Sequence, residues 1–206
     1  MPPAPLPQNE SERYIALMAY RARGLVADVH AVQLVREAKT FFGLPQAVIA
    51  LVGRTKVYFL AEVGAGFDSL PREHSFCTYA IHHRTPLVVE DMRLDPRFSD
   101  NPYVTGPPGL RFYAGAPLVD SGGYCLGTFC LVDFKPRSLR LAEVSRLEDF
   151  SRRAMRLIEM QKTMSELLHT YGGSTDDVAE ATGFGASSVR QPTAAVFSGD
   201  GAVAGR

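Results

Sequence analysis

Residues 46–64 read QAVIALVGRTKVYFLAEVG. The first part, AVIALV, is apolar at every position, so a strand here is covered on both of its faces. Gly53-Arg54-Thr55 is too short a link for a crossover. The next strand, 57–63, is therefore predicted to return antiparallel.

A second hairpin lies further along. Residues 110–119 and 125–133 are strand-like and joined by Asp120-Ser121-Gly122-Gly123, where glycine supplies positive φ. Pro117 cannot donate to a ladder, which implies an edge-facing position or a bulge. Between the hairpins, 75–83 reads as a short helix and Leu87-Val88-Val89 as a brief strand. Asp95-Pro96-Arg97-Phe98 has the form of a helix start, with Asp95 as N-cap and Pro96 at the first helical position. VTGPPGLRFYAGAPL (104–118) begins as a loop and turns into strand, carrying Arg111 at the junction.

Helical patterns flank this region. Over 10–42, Leu25, Val29 and Val32 form one stripe and Leu34, Ala38 and Phe41 a second, with Gly24 as a divider. Gly43 and Pro45 end the pattern. Over 139–169, Leu147, Phe150, Ala154, Leu157, Gln161, Met164 and Leu168 recur in alternating steps of three and four, a heptad seam. That seam can cover the sheet, pair with the same helix of a second copy, or divide the two tasks between its halves. Residues 1–9 hold four prolines and read as a flexible leader. Residues 171–206 are rich in Gly, Ala and Ser and read as a disordered tail. One domain over 10–170 remains.

The chain has 206 residues, with 22 Lys+Arg against 22 Asp+Glu. Zero net charge and the lack of any basic run argue against nucleic-acid binding. No apolar run approaches the roughly 20 residues that cross a bilayer. The N-terminus lacks the features of a signal peptide, so cytoplasm is the expected location and no membrane partner is implied. The cysteines are Cys77, Cys125 and Cys130. An odd count without CxxC pairs argues against a disulfide framework or structural zinc. On one strand Cys125 and Cys130 face opposite ways about 16 Å apart, so only Cys77 could pair with either.

Helix, hairpin, short helices and loop, hairpin, long helix is an α+β order with an antiparallel sheet. SFCTYAI, TPLVVEDMRLDPRFSDNP, VTGPPGLRFYAGAPL and GTFCLVDFKPRSL occur in this sequence in that order. Together they resemble a GAF domain over about residues 25–160, of the bacterial sensory type found with histidine kinases and diguanylate cyclases. The resemblance implies a PAS-related fold: a central antiparallel sheet, long N- and C-terminal helices on one face, and a small-molecule pocket on the other. It also implies dimers formed through the terminal helices. Relatives bind cyclic nucleotides, bilins, haem or small metabolites, and some bind none, so the resemblance leaves the cofactor unknown. Covalent bilin attachment needs a cysteine before the second hairpin, and residues 101–111 hold neither Cys nor His. A second bilin motif, Asp-Xaa-Cys-Phe, has Arg97 at its cysteine position. The Asn-Lys-Xaa-Phe-Asp-Glu motif of cyclic-nucleotide binders is absent.

Candidate ligand residues follow. Arg111 offers a fork of donors to a carboxylate or phosphate, or pairs with Asp91 or Asp95 to hold the loop. Phe98, Phe112 and Tyr113 could wall a pocket or simply fill core. Cys77, near the start of a short helix, and Cys130, on a buried strand, are small apolar fillers or a reactive pair. His74, Cys77, His82 and His83 cluster without metal-ligand spacing, so no metal site is expected. The resulting expectation is a non-enzymatic sensory domain. It would bind a small ligand non-covalently, dimerise, and signal through its last helix to a downstream protein. No kinase, cyclase or helix-turn-helix pattern follows that helix, which leaves a stand-alone regulator or part of a larger protein. The alternatives are a thiol-based enzyme like the free methionine sulfoxide reductases, and a ligand-free dimerisation scaffold.

Overall fold

Two hairpins meet side by side and make one sheet. β1 (Gln46–Val52) pairs with β2 (Lys56–Val63) on one edge and with β6 (Cys125–Asp133) on the other. β5 (Phe112–Val119) pairs with β6, and β4 (Leu87–Val89) with β5. β3 (Ser69–Pro71) closes the opposite edge against β2, giving the antiparallel order β3-β2-β1-β6-β5-β4. This computed structural model describes residues 4–22, 25–26 and 28–171. Gly24 and the tail from residue 172 onward lie outside the described residues. Contacts group residues 1–165 into one compact unit.

Every residue of β1 is buried, as the unbroken apolar run requires. β1 and β6 approach closely: a Cβ on Gly127 would stand 1.9 Å from the Ala50 carbonyl oxygen. Pro117 lies beyond the short β4, whose register covers only residues 113–115 of β5, so its missing donor faces an unpaired edge. A register shift follows at Leu118/Val119.

The sheet has two different faces. Ala47, Ile49, Leu51, Phe129, Leu131, Phe112, Ala114 and Ala116 pack under helices. The opposite parity, including Val48, Cys130, Val132 and Tyr113, packs with Phe76, Cys77 and Phe98. Phe112 therefore belongs to the helix side, not to a pocket, because it is one residue out of phase with Tyr113.

Helix α1 (Glu10–Ala22) and helix α2 (Val29–Phe42) cover the first face. Asp28 caps α2 by accepting from Ala31 N at 2.7 Å, and Gly43 ends it at φ 61°. Because α2 starts after Asp28, its buried stripe is Ala31, Leu34, Val35, Ala38 and Phe42. The expected stripe residues Val29 and Phe41 are exposed, and Phe41 instead lies under the Arg146 guanidinium.

Three short elements connect the hairpins. Of the helix expected over 75–83, the four residues of α3 (Cys77–Ala80) form, preceded by one turn of 3-10 helix at Arg72–His74. Asp95 closes a single turn, accepting from Arg97 N and Phe98 N, and no helix follows it. The capped helix is α4 (Pro102–Thr105), where Asn101 accepts from Tyr103 N at 2.8 Å and Pro102 takes the first position.

Helix α5 (Leu141–Tyr171) settles part of the seam question. Leu147, Phe150 and Ala154 are fully buried against the sheet, with Phe150 stacked on Phe129 at 5.5 Å. These three are core, so they are not available as a surface interface. Leu157 is half-buried against the same core, and Gln161 donates to the Asp28 carboxylate at 2.7 Å. Met164 is exposed and Leu168 half-buried.

Of the leader, residues 4–9 make contacts. Ala4 packs on the second cluster, and His82 Nε2 donates to Pro5 O at 2.6 Å. Next in sequence stands a buried ion cluster. Arg13 donates to Glu10 through Nε (2.7 Å) and Nη2 (3.0 Å), and Arg72 donates to the same carboxylate. Arg72 also donates to Gly53 O at 2.8 Å, which ties α1 to the β1–β2 turn. Burial by itself would push the Glu10 carboxyl up, but the two guanidiniums outweigh it and hold it below its ordinary value. Removing one member of such a cluster leaves uncompensated buried charge. Glu10→Gln is expected to cost about 3 kcal/mol in urea unfolding at neutral pH. The Glu10 value is lowered on folding, so its contribution is complete above the unfolded value of 4.5 and is lost as pH falls through the folded value. The gap between wild type and variant should therefore shrink below about pH 4.

Candidate functional site

The second face of the sheet carries a cavity of about 460 Å³. Its floor is Val48 of β1, Cys130 and Val132 of β6, and Tyr113 of β5. Phe59 and Phe67, whose rings lie 5.3 Å apart, wall one side with Leu70, while Phe76 and Cys77 wall another. Tyr103, Pro107, Pro108 and Leu110 cover it.

The loop ahead of β5 thus lies over the cavity, and its shape is set locally. Gly109 takes φ 75°, and Gly109 N and Leu110 N donate to Gly106 O and Tyr103 O. Arg111 pins this turn from inside. Its Nη1 donates to Val104 O at 2.9 Å and Leu110 O at 2.8 Å. It does not pair with Asp91 or Asp95. Arg93 forks onto Asp91 and Arg97 onto Asp95, at 2.5–3.0 Å. The Arg93 hydrogen bond is the main reason the Asp91 carboxyl sits low, with the Arg111 charge a smaller contribution. Arg111 fastens the loop through Nη1, and it is not among the residues that line the cavity.

Of the seven candidate ligand residues, the structure brings Cys77, Tyr113 and Cys130 to the cavity wall. Phe98 is fully buried behind it, edge-on to Phe76 and Tyr79. Asp91 lines a separate shallow surface beside Leu94 and Arg97. Phe59, Phe67, Leu70, Phe76 and Tyr103 were missed. The alternation along β1 and β6 could have given Val48 and Val132, since both share the parity of Cys130 in the observed register.

The two cavity cysteines touch, with Sγ···Sγ at 3.9 Å. Cys77 N donates to Ser75 Oγ at 3.2 Å. Tyr113 and Thr128 bring hydroxyls beside the same sulfurs, yet neither hydroxyl completes a hydrogen bond. The Tyr113 ring runs along its own strand over Gly115, where a Cβ would lie 2.2 Å from the hydroxyl. The Cys130 hydrogen bond holds Cys77 below the ordinary thiol range despite burial, with smaller help from Thr128, Tyr113 and Ser75. The same bond, with burial, holds Cys130 well above that range. The two sulfurs therefore titrate as a pair, with Cys77 the more acidic member. α3 has only four residues, so the Cys130 sulfur and the neighbouring polar groups, and not a helix dipole, carry the effect. Cys125 stands apart, donating to Gly127 O at 3.4 Å, and burial pushes it up to about 12.

The molecule thus has a helix layer on one face of an antiparallel sheet and a loop-covered cavity on the other. The sequence model of the GAF domain matches residues 31–158, and the chain belongs to that family. A cyclic di-GMP phosphodiesterase of Pseudomonas aeruginosa is 38% identical over 155 residues. That match covers 75% of this chain but only 26% of the relative, so the chain spans about a quarter of that protein's length. Among solved structures, the type II free methionine-R-sulfoxide reductase of Thermoplasma acidophilum superposes with TM-score 0.54 at 12% identity, covering 65% of this chain and 93% of that one. The blue-light absorbing form of the Thermosynechococcus elongatus PixJ GAF domain gives 0.51 at 16% identity, covering 74% and 96%. Both likenesses concern the fold. The homology and the family together place the chain among sensory and regulatory domains.

Substitutions at Tyr113 and Gly115 test the packing of this wall. Tyr113→Phe removes an unpartnered buried hydroxyl and is expected to leave stability unchanged or raise it by up to about 1 kcal/mol. Gly115→Ala must displace the ring and is expected to cost about 1–3 kcal/mol in urea unfolding. In a Tyr113→Leu background the same glycine substitution should cost less, a coupling that a double-mutant cycle measures.

Proposed function

We propose that this chain is a ligand-sensing GAF domain whose cavity takes a small, uncharged and largely apolar molecule non-covalently. The observation that carries this reading is the cavity lining. Among the described residues it is aromatic and aliphatic with a few neutral polar groups, and no Lys, Arg, His, Asp or Glu faces it. Phosphates of a cyclic nucleotide and propionates of a tetrapyrrole call for cationic partners, which this wall does not offer. Its volume lies within the usual 300–1,000 Å³ or so of ligand pockets. A cavity of about 460 Å³ also weighs against the ligand-free scaffold.

The signal leaves through β6 and α5. Phe129 and Cys130 are neighbours on one strand: one stacks on Phe150 of α5, the other floors the cavity. A ligand that bears differently on Cys130 and Val132 in two arrangements biases α5 between them. In the relative the output is cyclic di-GMP hydrolysis; we assign this segment the regulatory part of such a system. Metal-assisted phosphodiester cleavage needs clustered ligands. Among the described residues no three His, Cys, Asp or Glu side chains could hold a metal ion. Nor does any helix among them have the length and apolarity to cross a membrane. A cytoplasmic location is part of the proposal.

The dimer belongs to the second half of α5. Met160, Met164 and Leu167 are exposed at steps of four and three. Met164→Glu is expected to convert a dimer to a monomer in light scattering while leaving the cavity unchanged. A wild type that is monomeric at tens of micromolar would overturn this assignment.

Native mass spectrometry of freshly purified protein, beside a denatured spectrum, tests the ligand. The expected result is extra mass on the folded protein that denaturation releases. Val48→Phe fills the cavity floor and should abolish that mass at a stability cost of about 1–3 kcal/mol. If extra mass is unaffected by Val48→Phe, the ligand lies elsewhere; if no mass is ever found, even with an added library of neutral aromatics, the sensor reading fails. The alternative of a sulfoxide reductase has the Cys77–Cys130 contact in its favour. It requires turnover of a free sulfoxide by wild type that Cys77→Ser abolishes.

A further inference from the structure

The cysteine corner is out of keeping with the rest of the cavity. Two thiols, 3.9 Å apart and almost sealed from the outside, are both reached from inside the cavity. Two buried hydroxyls without partners, Tyr113 and Thr128, stand beside them. Leaving polar groups buried and unpaired is costly, and packing alone would be better served by apolar side chains. A pair of thiols with idle donors next to it has the parts of a reaction centre.

We propose that Cys77 and Cys130 form a redox-active dithiol that reduces a small organic hydroperoxide entering the cavity and is itself converted to a disulfide. The Cys77 thiolate attacks the terminal peroxide oxygen. A sulfur–oxygen bond forms, the O–O bond breaks, and the leaving alkoxide takes up the proton that Cys77 had lost, becoming an alcohol. Cys130 then attacks the Cys77 sulfur. The S–S bond forms, the hydroxide leaves, and the Cys130 proton makes it water. Two thiols and one hydroperoxide give one disulfide, one alcohol and one water, and two electrons pass to the peroxide. The Tyr113 and Thr128 hydroxyls are the donors available to the departing oxygen. The sulfurs need to close from 3.9 Å to a bond of about 2.05 Å. The apolar lining favours an organic hydroperoxide over hydrogen peroxide. An external dithiol restores the pair by exchange.

Cys125 is the internal control, since it lies outside this cavity and is held as a thiol by burial. The reaction uses the cavity but does not depend on a sensory ligand, so its test involves none. Full-length reduced protein is treated with one equivalent of cumene hydroperoxide, quenched with N-ethylmaleimide, and examined by intact mass and peptide mapping. The expected product has a Cys77–Cys130 bridge and one alkylated residue, Cys125. Oxidation by hydrogen peroxide should be at least about tenfold slower, from exclusion of the polar oxidant by an apolar site. Cys125→Ser should react as wild type, and Cys130→Ser should stop at a sulfenic acid that dimedone traps. Three alkylated cysteines, a bridge to Cys125, or over-oxidation without a bridge would overturn the proposal; equal rates with both oxidants would overturn the organic class. The wild-type measurement needs no variant, so a misfolded mutant cannot decide it. A protein that forms the bridge but carries no releasable mass separates this inference from the sensory one.

Discussion

The structure depends on two strands that are covered on both faces. β1 and β6 sit in the middle of the sheet, and neither has a residue to spare for solvent except at the Cys125 end. Double cover forces the two parities of each strand into different jobs. On β6, Phe129 and Leu131 pack under helices while Cys130 and Val132 face the cavity. The strands also have to meet closely, and Gly127 permits that where any side chain would strike the Ala50 carbonyl. The helix layer, the cavity and the path between them all follow from this sandwich.

Charge is organised around the same constraint. The chain is neutral overall, yet its arginines are not spread evenly in solvent. Arg13 and Arg72 close on Glu10 at one end of the sheet. Arg137 closes on Asp133 at the other end and reaches Gly43 O at 3.1 Å, joining β6 to the end of α2. Arg111 bonds its own loop through Nη1. Each of these ties down backbone at the rim of the sheet. Because the guanidiniums serve the frame, the cavity is left without charge, and the class of ligand it suits is an indirect result of how the rim is held.

The fold was legible because hydrophobic parity is a local signal. AVIALV announces a covered strand, Gly53-Arg54-Thr55 and Asp120–Gly123 announce hairpins, and Gly43 stops α2 where φ 61° is needed. The order of elements and the motifs then indicated the family. The site was legible only in part. Cys77 and Cys130 are 53 positions apart, and their contact depends on how α3 lies on β6, which no local pattern encodes. Phe98 and Phe112 look like pocket residues by type, but one phase step along a strand sends Phe112 to the other face. Asp95-Pro96 looks like a helix start, yet the Arg97 side chain turns back on Asp95 and the chain leaves after one turn. Arg111 was drawn toward carboxylates because charge is visible in sequence, whereas the carbonyls of Val104 and Leu110 are not.

The heptad seam shows how one pattern can serve two purposes. Leu147, Phe150 and Ala154 give their burial to this chain's own core. The steps of three and four persist beyond them, where Gln161 already turns to Asp28 and Met164 to solvent. The helix is buried against the sheet through its first half, and further along it is held by polar contacts such as Gln161 to Asp28 while Met160, Met164 and Leu167 face solvent. Its buried half rests on Phe129, directly behind the cavity floor. Dense cores do not deform continuously, so in the proposed mechanism a change in the floor is met by a discrete repacking of Phe129 against Phe150. Couplings of this kind are typically worth about 1–3 kcal/mol, enough to change a helix equilibrium by one to two orders of magnitude. Whatever alters the floor, a bound molecule or a new bond between its two sulfurs, acts on the same stack.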